Sequence, residues 1–293
     1  MVRSTLTRGV GAVLRPARNA AFSNMRSMSS VVTLEKQGRV GILRLNDPKR
    51  LNPMTGAMGQ ALEEKVAEIN KRADEFGAIV LTGEGRAFSA GGDMKFLNAR
   101  IEDTPSRNSA IMREFYGRYL SLRTLKVPLV AAINGPAIGA GLCITLFADV
   151  RVAAEDAKMG FTFVNLGLHP GMASSHFLPQ LVGPETANYL MLSGKVFDGK
   201  EAERLRLVSK AVPNDQVVDE AVKIATEMAT ASSTAVRGVL RSLRAKQDAG
   251  LDIALQREAD AQAHSYASPD YAEGLKAIAE KRAPQFGDYE HYN

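Results

Sequence analysis

The sequence predicts a mixed α/β fold, and three observations support this prediction. Short apolar runs, such as residues 78–82 and 129–133, have the length and composition of buried strands. Amphipathic stretches separate them, and strands that alternate with helices are typically parallel and joined by right-handed crossovers. After Pro213 the strand pattern stops, and four helical stretches separated by Ser, Gly and Pro follow.

The first 30 residues differ in charge from the rest of the chain. They contain five arginines, Arg3, Arg8, Arg15, Arg18 and Arg26, and no Lys, Asp or Glu. A leader rich in Arg and Ser with interspersed apolar residues is typical of a mitochondrial transit peptide. We therefore expect residues 1–30 to direct the protein to the mitochondrial matrix; the alternative is a disordered basic tail.

The remainder of the chain is electrically neutral. Subtracting those five arginines from the 37 Lys and Arg leaves 32, which equals the 32 Asp and Glu. This balance argues against a nucleic-acid partner, although the whole chain has a net charge of +5. No apolar run is long enough to span a bilayer. The single cysteine cannot form an internal disulfide, which fits a reducing compartment.

The predicted elements before the centre of the chain follow from local patterns. Gln37-Gly38 separates two short strands and indicates a hairpin. A helix is predicted over 55–73, where apolar residues recur every three or four positions. A polar, mobile loop is expected over 100–107, and a second amphipathic helix over 111–125. The strand pattern resumes at residue 129.

Two turns of small residues follow two predicted strands. One lies within AIVLTGEGRAFSAGGD, residues 78–93, and the other within VPLVAAINGPAIGAGLCITLFAD, residues 127–149. A strand that enters a helix through such a turn leaves backbone N–H groups free at the helix N-terminus. Two turns of this kind could supply the paired donors of an oxyanion hole for a thioester. Each turn alone is also common as plain structure.

The order and spacing of six segments resemble the crotonase (enoyl-CoA hydratase/isomerase) superfamily, from about residue 31 to about residue 286. The matching text is LNDPKRLNPMT, GRAFSAGGDMK, INGPAIGAG, NLGLHPGMASSHFLPQLVG, LSGKVFDGKEAERLRLVSKAVP and IAEKRAPQF. The resemblance implies a ββα spiral core over 31–230. It also implies a helical region over 231–293 that forms a homotrimer or hexamer and covers a neighbour's active site.

The resemblance also implies the binding residues. Gly92 and Ala140 would donate their N–H groups to the thioester carbonyl. The path of the CoA moiety would follow Ser89, Ala90, Gly92, Asp93, Met94 and Lys95, with Lys49, Arg50 and Lys281 near its phosphates. Two alternatives remain open: Asp93 could instead cap a helix, and Lys49 and Arg50 could be solvated loop charges.

The acidic residues that such hydratases and isomerases use are missing from the matching positions. Hydration needs carboxylates that place a water and move its proton. The resemblance aligns Cys143 and Phe163 with the two hydratase glutamates, and Gly171 with a third acidic position. Hydration by two glutamates is therefore doubtful for this chain.

One histidine could replace the missing acids. His169 precedes Pro170 in the loop expected to line the acyl pocket, and the ordinary pKa of histidine suits acid–base work near neutral pH. The alternative is that His169 is only a partly buried polar residue. Ser174 and Ser175 are expected to cap the following helix, and Cys143 is expected to be a buried, inert thiol.

Two functions follow from these patterns. The first is an enzyme of acyl-CoA and fatty-acid metabolism, a lyase or isomerase that forms a thioester enolate. The alternative is a non-catalytic scaffold or assembly subunit with the same fold; RNA binding is a weaker third idea. CoA would enter as part of the substrate, and neither a separate cofactor nor a metal is expected.

Overall fold

The computed structural model describes residues 31–287. The transit-peptide prediction for residues 1–30 lies outside the described residues. The described residues form one compact unit. The boundary predicted between residues 230 and 231 stays a prediction.

Within residues 31–287, nine strands form two sheets. They are β1 (Val32–Gln37), β2 (Val40–Leu45), β3 (Ala78–Gly83), β4 (Leu129–Ile133), β5 (Ala137–Ile138), β6 (Val150–Ala154), β7 (Met159–Gly160), β8 (Val196–Phe197) and β9 (Lys210–Val212). The large sheet has the order β1-β2-β3-β4-β6-β9, and the small sheet has the order β5-β7-β8. The β1–β2 hairpin is antiparallel, and all later pairs of the large sheet are parallel.

Eleven helices are described. They are α1 (Gly56–Lys71), α2 (Met94–Asn98), α3 (Pro105–Leu120), α4 (Ala140–Cys143), α5 (Ser174–Val182), α6 (Pro184–Ser193), α7 (Gly199–Arg204), α8 (Val217–Thr230), α9 (Ser233–Gln247), α10 (Leu251–Tyr266) and α11 (Pro269–Glu280). None of the helices in this part of the chain is long and apolar enough to cross a membrane.

The centre of the large sheet is buried on both faces. Every residue of β3 and β4 is buried, because helices cover the sheet and the strands carry almost only apolar side chains. Their parallel register brings Thr82 opposite Ala132, so the chain leaves both strands at the same edge. The two small-residue turns therefore begin next to each other, as the sequence predicts.

The polar loop expected over 100–107 is only partly present. The Thr104 side chain accepts a hydrogen bond from the Arg107 N–H at 3.3 Å, and Pro105 occupies the first turn of α3. This cap starts α3 six residues before the predicted position 111. The loop prediction is therefore wrong for residues 105–107.

Helices from the C-terminal part pack back onto the same chain. Helix α8 covers strands β3 and β4, and α10 packs along α3. Helix α11 lies against the 3-10 turn Thr162–Leu166. Thus α10 and α11 complete the surroundings of the two turns within one subunit.

Candidate active site

Asn52 holds the first turn in place. Its side-chain amide donates to the carbonyl oxygens of Glu84 at 3.0 Å and Ala87 at 2.9 Å. Its Oδ1 accepts from the Asp47 N–H at 2.8 Å. Because Asn52 is fully buried, these bonds also satisfy an otherwise costly polar group. The turn is thus tied to the segment that follows β2.

Ser89 and Gly91 bring the first turn against the second. The Ser89 hydroxyl donates to the Asn52 carbonyl at 2.7 Å and accepts from the Gly91 N–H at 3.2 Å. Gly91 has φ +94°, and a Cβ at this position would lie 2.5 Å from the Ile138 oxygen. A side chain at residue 91 would therefore be strained and would force the two turns apart.

The second turn repeats this close packing. The Ile138 N–H donates to the Ser89 carbonyl at 3.1 Å, and the Gly139 N–H donates to the Gly160 carbonyl at 2.9 Å. A Cβ at Gly141 would lie 2.7 Å from Ser89. Small residues are therefore needed on both sides of the contact.

Two backbone N–H groups remain without an acceptor at this contact. Within residues 31–287, neither the Gly92 N–H nor the Ala140 N–H donates a hydrogen bond. Ala140 is the first residue of α4, where helix geometry leaves the N–H unused. Both residues line the same cavity, so the structure places the two predicted donors together.

The cavity beside these donors has a volume of about 340 Å³ and is mainly apolar. Most of its large apolar side chains come from α2, α3 and the 159–172 segment, with Ile138 and Ile278 from elsewhere. Those three segments contribute Met94, Phe96, Leu97, Met112, Phe115, Phe163, Leu166, Leu168 and Met172. No Asp or Glu of the described residues lines it. Such a lining suits an acyl chain and does not supply a carboxylate.

Three predicted binding residues line the cavity: Ala90, Gly92 and Met94. Ser89 does not line it, because its fully buried side chain holds the turns together. Asp93 caps α2 by accepting from the Phe96 N–H at 2.9 Å, which was the alternative left open for it. Lys95 is exposed and lies outside the cavity lining.

The predicted phosphate-binding cations lie outside the cavity. Arg50 forms ion pairs with Asp47 at 2.6 Å and with Asp93 at 3.3 Å, whereas Lys49 is exposed. Lys281 ends α11 with φ +53° and is exposed as well. The neighbouring Arg282 does line the cavity, where it pairs with Glu273 and Glu280.

His169 does not line the cavity that Gly92 and Ala140 share. Its Nδ1 lies 2.6 Å from the Pro170 carbonyl oxygen and donates to it, and its backbone bonds to Ser265 and Gln262. The side chain is half-buried and is not part of the cavity lining. The catalytic role predicted for His169 stays a prediction.

The three positions aligned with family acids have different surroundings. Phe163 lines the cavity next to Gly139, where an added Cβ would lie 3.9 Å from the Phe163 ring. Cys143 is fully buried, and burial raises the pKa of its thiol far above the ordinary value, as expected for an inert cysteine. A Cβ at Gly171 would lie only 2.4 Å from the Tyr116 hydroxyl oxygen.

Sequence reasoning missed a buried carboxylate beside Cys143. Glu258 of α10 accepts from the Ala173 N–H at 2.6 Å and from the Ser175 N–H and hydroxyl at 2.8 and 2.5 Å. It caps α5 from another helix, so the predicted capping by Ser174 and Ser175 is wrong. Burial raises the pKa of Glu258 to about 7, although these hydrogen bonds oppose the shift.

Sequence reasoning also missed three buried polar side chains in the cavity lining: Tyr116 of α3, with Gln262 and Tyr266 of α10. Their amphipathic spacing indicates only helices with a buried face. The contact between Tyr116 and Gln262 joins residues 146 positions apart, so no local pattern predicts it.

These features define an α/β protein whose apolar cavity lies beside two small-residue turns. The family model described as Enoyl-CoA hydratase/isomerase matches residues 35–289. The chain is 34% identical over 255 residues to "Probable enoyl-CoA hydratase echA8" of Mycobacterium bovis, covering 87% of this chain and 97% of that protein. It is 31% identical to "Probable enoyl-CoA hydratase, mitochondrial" of Dictyostelium discoideum, and the match covers 86% of this chain and 89% of that protein.

A solved structure of an enoyl-CoA hydratase/isomerase has a similar fold. The enoyl-CoA hydratase/isomerase of Pseudoalteromonas atlantica T6c has a TM-score of 0.77 and 32% identity, covering 87% of this chain and 99% of that one. The chain belongs to the enoyl-CoA hydratase/isomerase family, and the predicted crotonase-like α/β fold with a helical C-terminal region is confirmed.

Proposed function

We propose that the protein binds an acyl-CoA thioester and stabilises its enolate between the N–H groups of Gly92 and Ala140. The observation that carries this proposal is that both groups lack an acceptor within the described residues and belong to residues that line one apolar cavity. Negative charge that develops on the thioester oxygen would meet two fixed dipoles in surroundings poor in water. One such donor typically lowers a barrier by about 3–4 kcal/mol.

The proposed reaction class is that of a lyase or isomerase of acyl-CoA metabolism. Hydration by paired glutamates is not part of the proposal, because no carboxylate of the described residues lines the cavity. His169 remains the proposed acid–base group, acting through Nε2 because Nδ1 is held by Pro170. Replacement by His169→Ala tests this role: unchanged turnover would remove His169 from the mechanism.

A second candidate function is a non-catalytic scaffold that keeps only acyl-CoA binding. The same lack of carboxylates in the described cavity lining favours it, since removal of a proton from the α-carbon of the thioester needs a base. Incubation of residues 31–293 with saturated, 2-enoyl, 3-enoyl, 3-hydroxy and malonyl-type CoA thioesters separates the two. Mass spectrometry and absorbance would detect turnover, and calorimetry would detect binding.

The outcomes of this panel are distinct. Turnover of any thioester supports the enzyme, and tight binding without turnover of any of them supports the non-catalytic acyl-CoA binder. No binding at all would contradict the shared proposal that the cavity takes an acyl-CoA.

The proposed location is the mitochondrial matrix, and the proposed assembly is a homotrimer or a hexamer. The basic leader and the mitochondrial relative support the location. Light scattering on residues 31–293 tests the assembly, because a monomeric mass would contradict it. Fractionation of cells that express the full chain tests the location.

A further inference from the structure

The cavity contains a polar cluster formed by Tyr116, Gln262 and Tyr266. All three side chains are almost completely buried, at 2% exposure each, and all three line the cavity. They come from α3 and α10, two helices that pack along each other. The cluster places hydrogen-bonding groups in a lining that is otherwise mainly apolar, so it can add polar contacts to a bound acyl group.

Hydrogen bonding fixes the orientation of the Gln262 amide. Its Nε2 donates to the His169 carbonyl at 2.9 Å, so its Oε1 faces the tyrosines. This oxygen accepts from the Tyr116 hydroxyl at 2.7 Å and from the Tyr266 hydroxyl at 3.2 Å. Tyr116 therefore uses its proton within the cluster, and its oxygen keeps the capacity to accept. Gln262 retains a second Nε2 hydrogen.

The cluster occupies the space that a side chain at residue 171 would need. A Cβ at Gly171 would lie 2.4 Å from the Tyr116 oxygen and 3.2 Å from the Gln262 Nε2. Residue 171 is the position that the sequence aligns with a family acid. The two groups therefore occupy the space toward which that side chain would grow. Burial holds the pKa of Tyr116 well above its usual value, so its hydroxyl stays neutral and cannot serve as a base.

We propose that the acyl group of the substrate carries a hydroxyl, which donates to the Tyr116 oxygen and accepts from the Gln262 Nε2–H. A hydroxyl matches this pair because it is both donor and acceptor, whereas a carbonyl could use only the amide. A carboxylate fits poorly, since the one cation of the described lining, Arg282, is already paired with Glu273 and Glu280. The inference rests on the proposed acyl-CoA binding.

Calorimetry with butyryl-CoA and with 2-, 3- and 4-hydroxybutyryl-CoA tests the inference. We expect one hydroxylated isomer to bind about 10-fold more tightly than butyryl-CoA, the effect of pairing these polar groups. We define the binding ratio as the dissociation constant of butyryl-CoA divided by that of the preferred hydroxylated isomer. In Tyr116→Phe this ratio should fall to about 2. Gln262→Leu should lower the same binding ratio. If one of the two variants fails to fold, the other still tests the inference.

Tyr119→Phe is the matched control. Tyr119 is also buried in α3, but its hydroxyl donates to the Thr55 carbonyl at 2.7 Å and does not line the cavity. Its binding ratio should equal that of the wild type. Equal binding of all four thioesters, or a preference that survives in both variants, would overturn the inference. Failure of butyryl-CoA and all three isomers to bind would instead contradict the proposed function.

Discussion

Two parts of the cavity lining are built in different ways. In the backbone part, Gly92 and Ala140 present N–H groups from turns that follow adjacent parallel strands. In the side-chain part, Tyr116 of α3 and Gln262 of α10 present side chains from two helices that are far apart in the sequence. The backbone part needs small residues and a fixed backbone, whereas the side-chain part needs particular side chains.

The largest expected effect concerns the backbone part of the lining. Gly91→Ala would place a Cβ 2.5 Å from the Ile138 oxygen at φ +94°. We expect the free energy of unfolding to fall by about 3 kcal/mol, and acyl-CoA affinity to fall by about 100-fold. Denaturant unfolding and calorimetry measure the two effects.

Gly250→Ala separates backbone strain from the clash. Gly250 also has a left-handed φ, +84°, but a Cβ there meets nothing within 4 Å. This control should lose about 1 kcal/mol of stability and keep its affinity for acyl-CoA. Equal effects of the two substitutions would show that the contact between the turns does not matter.

The second prediction concerns Glu258, which lies on α10, the helix that also carries Gln262. Its pKa is about 7 when folded and 4.5 in the unfolded reference, so the folded state binds the proton more tightly. Stability from this group is therefore present below about pH 4.5 and is lost as pH rises to 7. The loss approaches about 3 kcal/mol.

Unfolding free energies measured from pH 4.5 to 7.5 test this prediction by comparison with a variant. Glu258→Gln cannot ionise and should remove this downward slope, while the exposed Glu63→Gln should retain it. A slope that is identical in the wild type and in Glu258→Gln would contradict the assignment.

The smallest expected effect concerns a helix cap beside Gly92. Asp93→Ala removes the bond to the Phe96 N–H and the ion pair with Arg50, and should cost about 1 kcal/mol of stability. It should also weaken acyl-CoA binding by about 3-fold, because α2 borders the cavity.

Asp198→Ala provides the matched comparison. Asp198 caps α7 by accepting from the Glu201 N–H at 2.9 Å, and neither residue lines the cavity. Its stability loss should be similar and its acyl-CoA affinity unchanged. If both variants lost affinity equally, the position of α2 would not be what supports binding.

Sequence reasoning succeeded where the decisive contacts are local. The turns after β3 and β4, the cap at Asp93 and the burial of Cys143 follow from strand pattern, small residues and apolar neighbours. The two N–H donors, Gly92 and Ala140, were predicted from the family resemblance, and the parallel strands explain why their turns begin at one sheet edge. These features depend on residues close together in sequence or on regular pairing.

Sequence reasoning failed where a helix contributes a side chain to a segment that is distant in the sequence. Glu258 caps α5 and is 83 residues away from Ser175 in the sequence. Local sequence therefore indicated Ser174 and Ser175 as the capping residues. Tyr116 and Gln262 meet across 146 residues and could be read only as parts of two amphipathic helices. The packing of α10 against α3 and against α5 creates these two features, and no local sequence pattern predicts it.

The most direct test of the central claim is the infrared spectrum of a bound thioester. Butyryl-CoA labelled with ¹³C at the carbonyl would be measured free and bound to residues 31–293. Two hydrogen bonds from Gly92 and Ala140 polarise the carbonyl, so its stretching band should shift to lower wavenumber on binding, and Gly91→Ala should lose the shift. Tight binding with an unshifted carbonyl band would contradict the account.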